Sequence, residues 1–194
     1  MHIVGCHVAV GMNGGPHLMA GIFEGQAPNP RVSNEQSPKR QSLPIEVIRI
    51  TRSDDLEALV TLINSAEWDE DNDVDTYSVA ALEAYLCKED TVFIAACCTD
   101  GEKELVGMAS GRIELKPYDH MKWLYIDEVD TCANQRRKGV GRALMVRLLE
   151  IARESDCEEV WLGTESTNVA ANALYKSLVP DEVDHVVGYL FEIR

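Results

Sequence analysis

The segment Gln135-Arg136-Arg137-Lys138-Gly139-Val140-Gly141-Arg142 constrains this chain more than any other. It stands between a strand-like run, Tyr125–Cys132, and a run of strong helical periodicity, Gly139–Glu154. Glycines lack a Cβ, so the backbone there can turn sharply and approach a ligand closely. The first N–H groups of a helix have no partner within it. Those donors, with the positive end of the helix dipole, suit a pyrophosphate. Four cations, Arg136, Arg137, Lys138 and Arg142, gather here in a chain of net charge -15. A phosphorylated ligand requires such a local reversal of sign. The segment has neither the G-x-x-x-x-G-K-[ST] of a P-loop nor the full G-x-G-x-x-G of a dinucleotide site. Taken alone, a basic helix start with incidental glycines would read the same way.

The surrounding pattern is clearest from Pro44 onward. Ile45–Thr51 alternates apolar and polar residues and predicts a first strand. Ser53 is the expected N-cap of a helix with Asp54 and Asp55 in its first turn. Leu56, Leu59, Val60 and Ile63 mark its apolar face. An acidic loop, Glu67 to Asp75, leads to a second helix over Val79–Cys87, with Leu82 and Leu86 inward. Thr91–Cys98 predicts a strand, Asp100-Gly101 a turn and Leu105–Leu115 a further strand. After the helix that opens at Gly139, with Leu144, Leu148 and Ile151 on one stripe, Glu159–Gly163 predicts a strand. Thr167–Leu178 predicts a helix and Val186–Ile193 a terminal strand. The order β-α-α-β-β-β-α-β-α-β implies an α/β sheet with antiparallel meander and helical crossover portions.

Residues 1–43 differ. They carry Gly5, Gly11, Gly14, Gly15, Gly21 and Gly25, then the polar stretch Asn29–Arg40, and no structural period persists. They read as an N-terminal extension of low functional content, ahead of one domain over 44–194.

Apolar residues make up 45% of the chain, enough for a continuous core. Thirty-three acids against eighteen Lys plus Arg repel nucleic acid phosphates and anionic lipid headgroups. The same surface attracts polycations, although acidity also serves solubility alone. Cys6, Cys87, Cys97, Cys98, Cys132 and Cys157 form no C-x-x-C pair and read as reduced thiols rather than a disulfide framework. The five histidines have no metal-ligand spacing, so no metal is expected. No apolar run is long enough to span a membrane, and no basic n-region opens the chain. A cytoplasmic protein is the expectation, without nucleic acid or membrane partners.

Arg136-x-x-Gly139-x-Gly141 resembles the R/Q-x-x-G-x-G/A acyl-CoA signature of the GCN5-related N-acetyltransferase (GNAT) superfamily. Asn168-x-x-Ala171-x-x-Leu174-Tyr175 resembles the family's N-x-x-A-x-x-L-Y helix. A helix and a strand separate the two motifs, as in the family, and the resemblance covers about Ile45 to Arg194. It implies an α/β (α+β) fold: a mixed, mostly antiparallel sheet splayed between strands four and five, with helices on both faces. One departure stands out. Val179-Pro180 replaces the family's Gly-Phe after the Tyr-x-x-x run. A glycine there normally ends the helix in the left-handed conformation. Pro180 restricts its predecessor, so the helix should stop with a different exit.

The resemblance also implies acetyl-CoA as co-substrate. Its pantetheine would pair with backbone groups of Val129, Asp130, Thr131 and Cys132 at the splay. Its pyrophosphate would rest on Arg136, Arg137, Lys138, Gly139, Val140, Gly141 and Arg142. Asn168, Ala171 and Tyr175 would complete the cofactor side. A neutral amine attacks the thioester, so a base must take its proton. Asp127, Glu128 and Asp130 lie at the centre of the fourth strand. The adjacent pair Asp127-Glu128 breaks the alternation and predicts a bulge that redirects side chains. Glu128 is the first choice of base and Asp127 the second, with Tyr175 giving a proton to the leaving thiolate. The acids could instead line an exposed sheet face. Cys132 is read as a strand residue, not a nucleophile.

Within the superfamily, Asp73-Val74-x-Thr76-Tyr77-Ser78 resembles a D-V-x-T-Y-S segment of aminoglycoside 3-N-acetyltransferases. Tyr85-Leu86, Lys116-Pro117-Tyr118 and Tyr125-Ile126 extend the likeness. Tyr77, Asp127 and Glu128 are therefore expected on the substrate side, with 3-N acetylation favoured, and Glu165 is expected there on charge alone, facing a cationic amine. A protein or polyamine N-acetyltransferase remains the alternative enzyme, and a non-catalytic acyl-CoA-binding module the alternative of another class. A homodimer is compatible with the sequence.

Overall fold

The computed structural model describes residues 44–68, 74–100 and 104–193. Its elements in chain order are β1 (Ile45–Arg49), α1 (Leu56–Ser65), α2 (Val79–Leu86), β2 (Thr91–Cys98), β3 (Glu104–Leu115), β4 (Lys122–Thr131), α3 (Val140–Glu154), β5 (Glu159–Trp161) and α4 (Val169–Lys176). A short 3-10 turn, Ala133–Gln135, separates β4 from α3. The expected extension 1–43, most of the acidic loop, Asp73 and Gly101 lie outside the described residues.

The strands form one sheet in the order β1-β2-β3-β4-β5. The first three pairings are antiparallel and β4 with β5 is parallel. β2 consists of β-branched, aromatic and small apolar residues, and almost all of it is buried. A central strand of that kind needs an apolar layer on each face. One layer sets Ile94, Leu124 and Ile126 against Leu144, Leu148 and Ile151 of α3. The other sets Phe93, Ala95 and Met108 against Leu56, Leu59, Val60 and Ile63 of α1 and Leu82 of α2. Each fully buried Leu or Ile contributes about 1.5–3 kcal/mol by leaving water. Helices thus cover both faces, and the sheet is mixed and mostly antiparallel.

Several boundaries move for local reasons. The N-cap of α1 is Asp55, not Ser53: Asp55 Oδ1 accepts from the Ala58 N–H at 2.9 Å. Ser53 Oγ instead lies 2.8 Å from Thr51 Oγ1, and Asp54 turns back onto the Thr51 N–H at 2.7 Å. β4 begins at Lys122, three residues before the expected Tyr125, because the hairpin pairs Leu115 with Lys122. Val186–Ile193 is not a strand, and its apolar side chains are exposed. Among the described residues the sheet ends at β5, a strand of three residues, and no further pairing extends it.

The exit of α4 also differs from expectation. Val179 holds φ +58, so a β-branched residue takes the left-handed conformation that glycine favours. Pro180 has not excluded it. The helix stops at Lys176, with the Val179 N–H donating to Lys176 O at 3.2 Å. Cys97, Cys98 and Cys132 are buried, Cys157 is half-buried and Cys87 is exposed, all as free thiols. Cys6 lies outside the described residues. Among the described residues, no helix is long and apolar enough to cross a membrane. Nor does any group of three or more His, Cys, Asp or Glu stand ready for a metal.

Candidate active site

The site begins with a count of residues along β4. Gly111 pairs with Ile126 and Ser110 with Glu128, so Asp127 is the extra residue of a bulge. Gly111 permits it: a Cβ there would lie 2.5 Å from Tyr125 O. The bulge turns two adjacent acids toward one side. Asp127 Oδ1 meets the Arg112 guanidinium at 2.7 Å, and Glu128 Oε2 accepts from Ser110 Oγ at 3.3 Å. Ser110 pairs with Phe93, which belongs to the α1/α2 layer, so Glu128 faces that layer.

The two acids have different surroundings. Asp127 is ion-paired. Glu128 accepts from hydroxyls: Ser110 and Tyr77, the latter at 3.4 Å. Tyr77 and Tyr85 meet Phe93 edge-on, with centroids 6.0 and 6.5 Å apart, on the side of the sheet that Glu128 faces. Burial raises the Glu128 carboxyl above its ordinary pKa, and the negative charges of Asp127 and Asp75 add to this. The two hydroxyl donors pull the other way. Burial also raises Tyr77, and raises Tyr85 to about 12.

β5 pairs with β4 only from Trp123 to Tyr125. The rest of β4, Ile126–Thr131, has left its neighbour, so the sheet opens at this point. Asp130 is buried. Cys132 follows the strand, with its N–H donating to Val106 O at 3.0 Å and its thiol to Leu105 O at 3.4 Å. Burial pushes that thiol up to about 11, so it stays protonated at neutral pH, unlike an activated nucleophile. The Ala133 N–H donates to Glu67 O at 2.8 Å, linking the chain just beyond α1 to the glycine turn.

In the turn, Gly139 holds φ +95 and caps α3, and a Cβ on it would meet nothing within 4 Å. The helical ladder begins with the Ala143 N–H on Gly139 O at 2.9 Å, ahead of which lie the N–H groups of Val140, Gly141 and Arg142. Open space, free first-turn donors and the flanking cations are what a diphosphate needs. Arg137 stands exposed at φ +62, and Lys138 Nζ donates to Gln135 Oε1 at 3.0 Å. Val140 is buried where Gly107 lets α3 approach the sheet: a Gly107 Cβ would lie 2.7 Å from Asp130 O and from Val140 Cγ1.

α4 packs beside this turn. A Cβ on Gly141 would lie 3.0 Å from Leu174 Cδ2, and Arg142 reaches Ser177 Oγ at 3.1 Å. Asn168 caps α4 by accepting from the Ala171 N–H at 3.0 Å, so both residues are used in ordering the helix. Tyr175 is half-buried against the α3 layer. Burial pushes its hydroxyl up to about 12, with the charge of Asp130 adding to the rise. Glu165 stays exposed in the turn before α4, where Thr167 Oγ1 donates to its carboxylate at 3.3 Å.

The structure therefore brings together Tyr77, Asp127 and Glu128 at the bulge. It also brings the glycine turn beside α4. Glu165 has no contact with the bulge. Sequence reasoning missed Ser110, Arg112 and Asn64. The first two are polar interruptions two apart in an apolar strand, and that spacing was the available signal.

The family model described as the acetyltransferase (GNAT) family matches residues 57–178. No curated protein sequence matches the chain. Among solved structures, an aminoglycoside acetyltransferase (meta-AAC0020) from an uncultured soil metagenomic sample, in complex with trehalose, is similar at 19% identity and TM-score 0.66. That match covers 78% of this chain and 97% of the other. The same enzyme in complex with sisomicin matches at 17% identity and TM-score 0.65, with the same 78% and 97% coverage. AAC(6')-Iy in complex with the bisubstrate analogue CoA-S-monomethyl-acetylneamine matches at 16% identity and TM-score 0.59, over 77% of this chain and 99% of the other. These likenesses support the fold, and the family match spans the bulged strand, the glycine turn and α4. The chain belongs to the acetyltransferase (GNAT) family.

Proposed function

We propose that this protein transfers the acetyl group of acetyl-CoA to an amino group of an aminoglycoside, with the 3-N position favoured, and so confers resistance in the cytoplasm. The observation that carries this reading is the Glu128 carboxylate. It is half-buried, contacted by neutral hydroxyls and set on a bulge beside the open edge of β4. Asp127 is a weaker candidate base because Arg112 holds its carboxylate.

In this reading the diphosphate of acetyl-CoA lies against the N–H groups of Val140, Gly141 and Arg142, near Arg136, Arg137 and Lys138. The pantetheine runs along Val129–Thr131. Glu128 takes a proton from the substrate ammonium, and the neutral nitrogen attacks the thioester carbon. The C–N bond forms and the C–S bond breaks. Tyr175, whose high pKa keeps it protonated in the resting site, gives its proton to the departing sulfur; the nitrogen sheds its second proton through solvent, which restores Tyr175, and Glu128 releases the first to bulk water. Products are an N-acetylated aminoglycoside and free CoA thiol.

The charge of -15 supports a polycationic substrate. So does the sisomicin bound by a structural neighbour. A thiol-release assay tests the proposal. Acetyl-CoA would be offered a gentamicin-type aminoglycoside, spermidine and a lysine-rich peptide, with NMR to locate the acetyl group. Aminoglycoside turnover with a KM that rises with salt is expected, because exposed charges are screened. No turnover with any aminoglycoside refutes the substrate class.

A further inference from the structure

Asn64 lies in the last turn of α1, thirteen residues before Tyr77. Its Nδ2 donates to Tyr77 O at 2.9 Å, and its Oδ1 accepts from the Tyr77 N–H at 2.9 Å. One side-chain amide thus satisfies both main-chain groups of one residue, as a neighbouring strand would. Residues 74–78 have no regular secondary structure of their own, so nothing periodic holds Tyr77 in place. At the far end of the same residue, the Tyr77 hydroxyl donates to Glu128 Oε2. Its ring is fixed edge-on against Phe93. A chain of contacts therefore runs from α1 through Tyr77 to the bulge of β4.

We propose that Asn64 is a positioning residue for the reaction, which through its paired bonds to Tyr77 sets where the Tyr77 hydroxyl meets Glu128. This rests on the reading of Glu128 as the base. Ser110 on β3, Asp127 beside Glu128 on β4, Asp75 and Tyr77 ahead of α2, and Tyr85 on α2 also face or act on that carboxylate. Losing a donor to a carboxylate favours its protonated form. Loosening Tyr77 therefore moves the ionisation of Glu128 to higher pH.

The test is the pH profile of kcat/KM for the full chain with acetyl-CoA and a gentamicin-type aminoglycoside. Wild type, N64A, Y77F, the N64A/Y77F double variant and E128Q are compared. N64A and Y77F should each shift the acid limb upward by about half a pH unit, about threefold in rate on that limb. The KM for acetyl-CoA should not change. In the Y77F background, N64A should add nothing, because both act through one hydroxyl. N64Q keeps an amide but lengthens its reach by a methylene, and should behave as N64A. An unmoved limb in N64A and N64Q, or an equal further shift in the Y77F background, overturns the role of Asn64. Persistence of the limb in E128Q instead overturns the base reading beneath it.

Discussion

The Tyr77 hydroxyl and Glu128 Oε2 lie 3.4 Å apart, joining the segment before α2 to the bulge of β4. The contact keeps the carboxylate inside an aromatic wall, where burial raises its pKa. For an acid raised in this way, the folded state favours the protonated form. Its contribution to stability is present below the unfolded pKa and is lost as pH rises through the folded value. At neutral pH the charged group is therefore a strain on the fold. E128Q should raise the melting temperature at pH 7, with the gain shrinking as the pH is lowered through the folded pKa. In the same protein, turnover should fall about 10²–10⁴-fold with acetyl-CoA binding unchanged. Thermal melts across pH, beside steady-state rates, check both.

The glycine turn should answer differently at its two glycines. G139A adds a methyl into open space but holds it at φ +95, which costs about 1–2 kcal/mol. G141A brings a methyl 3.0 Å from Leu174 Cδ2, which a leucine end can yield to. G141V cannot fit without moving α4. We expect acetyl-CoA affinity to fall modestly in G141A and about tenfold or more in G141V, measured by calorimetry. G139A should lower the melting temperature by about 2–8 °C.

Val179 offers the reverse experiment. It is exposed and held at φ +58, so its side chain contributes strain and little packing. V179G should remove a cost of about 1–2 kcal/mol, partly offset by the greater freedom of glycine in the unfolded chain. The net gain should be about 1 kcal/mol, or about 2–4 °C in melting temperature. A lower melting temperature would show that Val179 has packing which outweighs its backbone strain.

Much of this arrangement could be read before the fold was known, and the reasons are local. The bulge was legible because Asp127 and Glu128 are adjacent acids in a strand whose side chains should alternate. The glycine turn at the head of α3 was legible because Gly139 and Gly141 sit among cations at a strand-to-helix junction. The partners of those acids were legible only as polar interruptions in a strand, not as partners. Ser110 and Arg112 reach Glu128 and Asp127 only through the register of β3 on β4, which composition does not encode. Asn64 reaches Tyr77 across a loop, with no period linking the two. The cap of α1 moved from Ser53 to Asp55 because Thr51 competes for the Ser53 hydroxyl. Val186–Ile193 has the alternating pattern of a strand, but a pattern does not supply a partner, and the sheet ends at β5.

The shared orientation of Asp127 and Glu128 rests on parity rather than on side-chain preference. A strand with no surplus residue would send one of any two neighbours into the opposite layer, here toward Leu144 and Leu148. A carboxylate there would find hydrocarbon and no donor. Any redesign of this strand must therefore keep the odd residue and preserve the tally between Tyr125 and the turn, whatever else it exchanges.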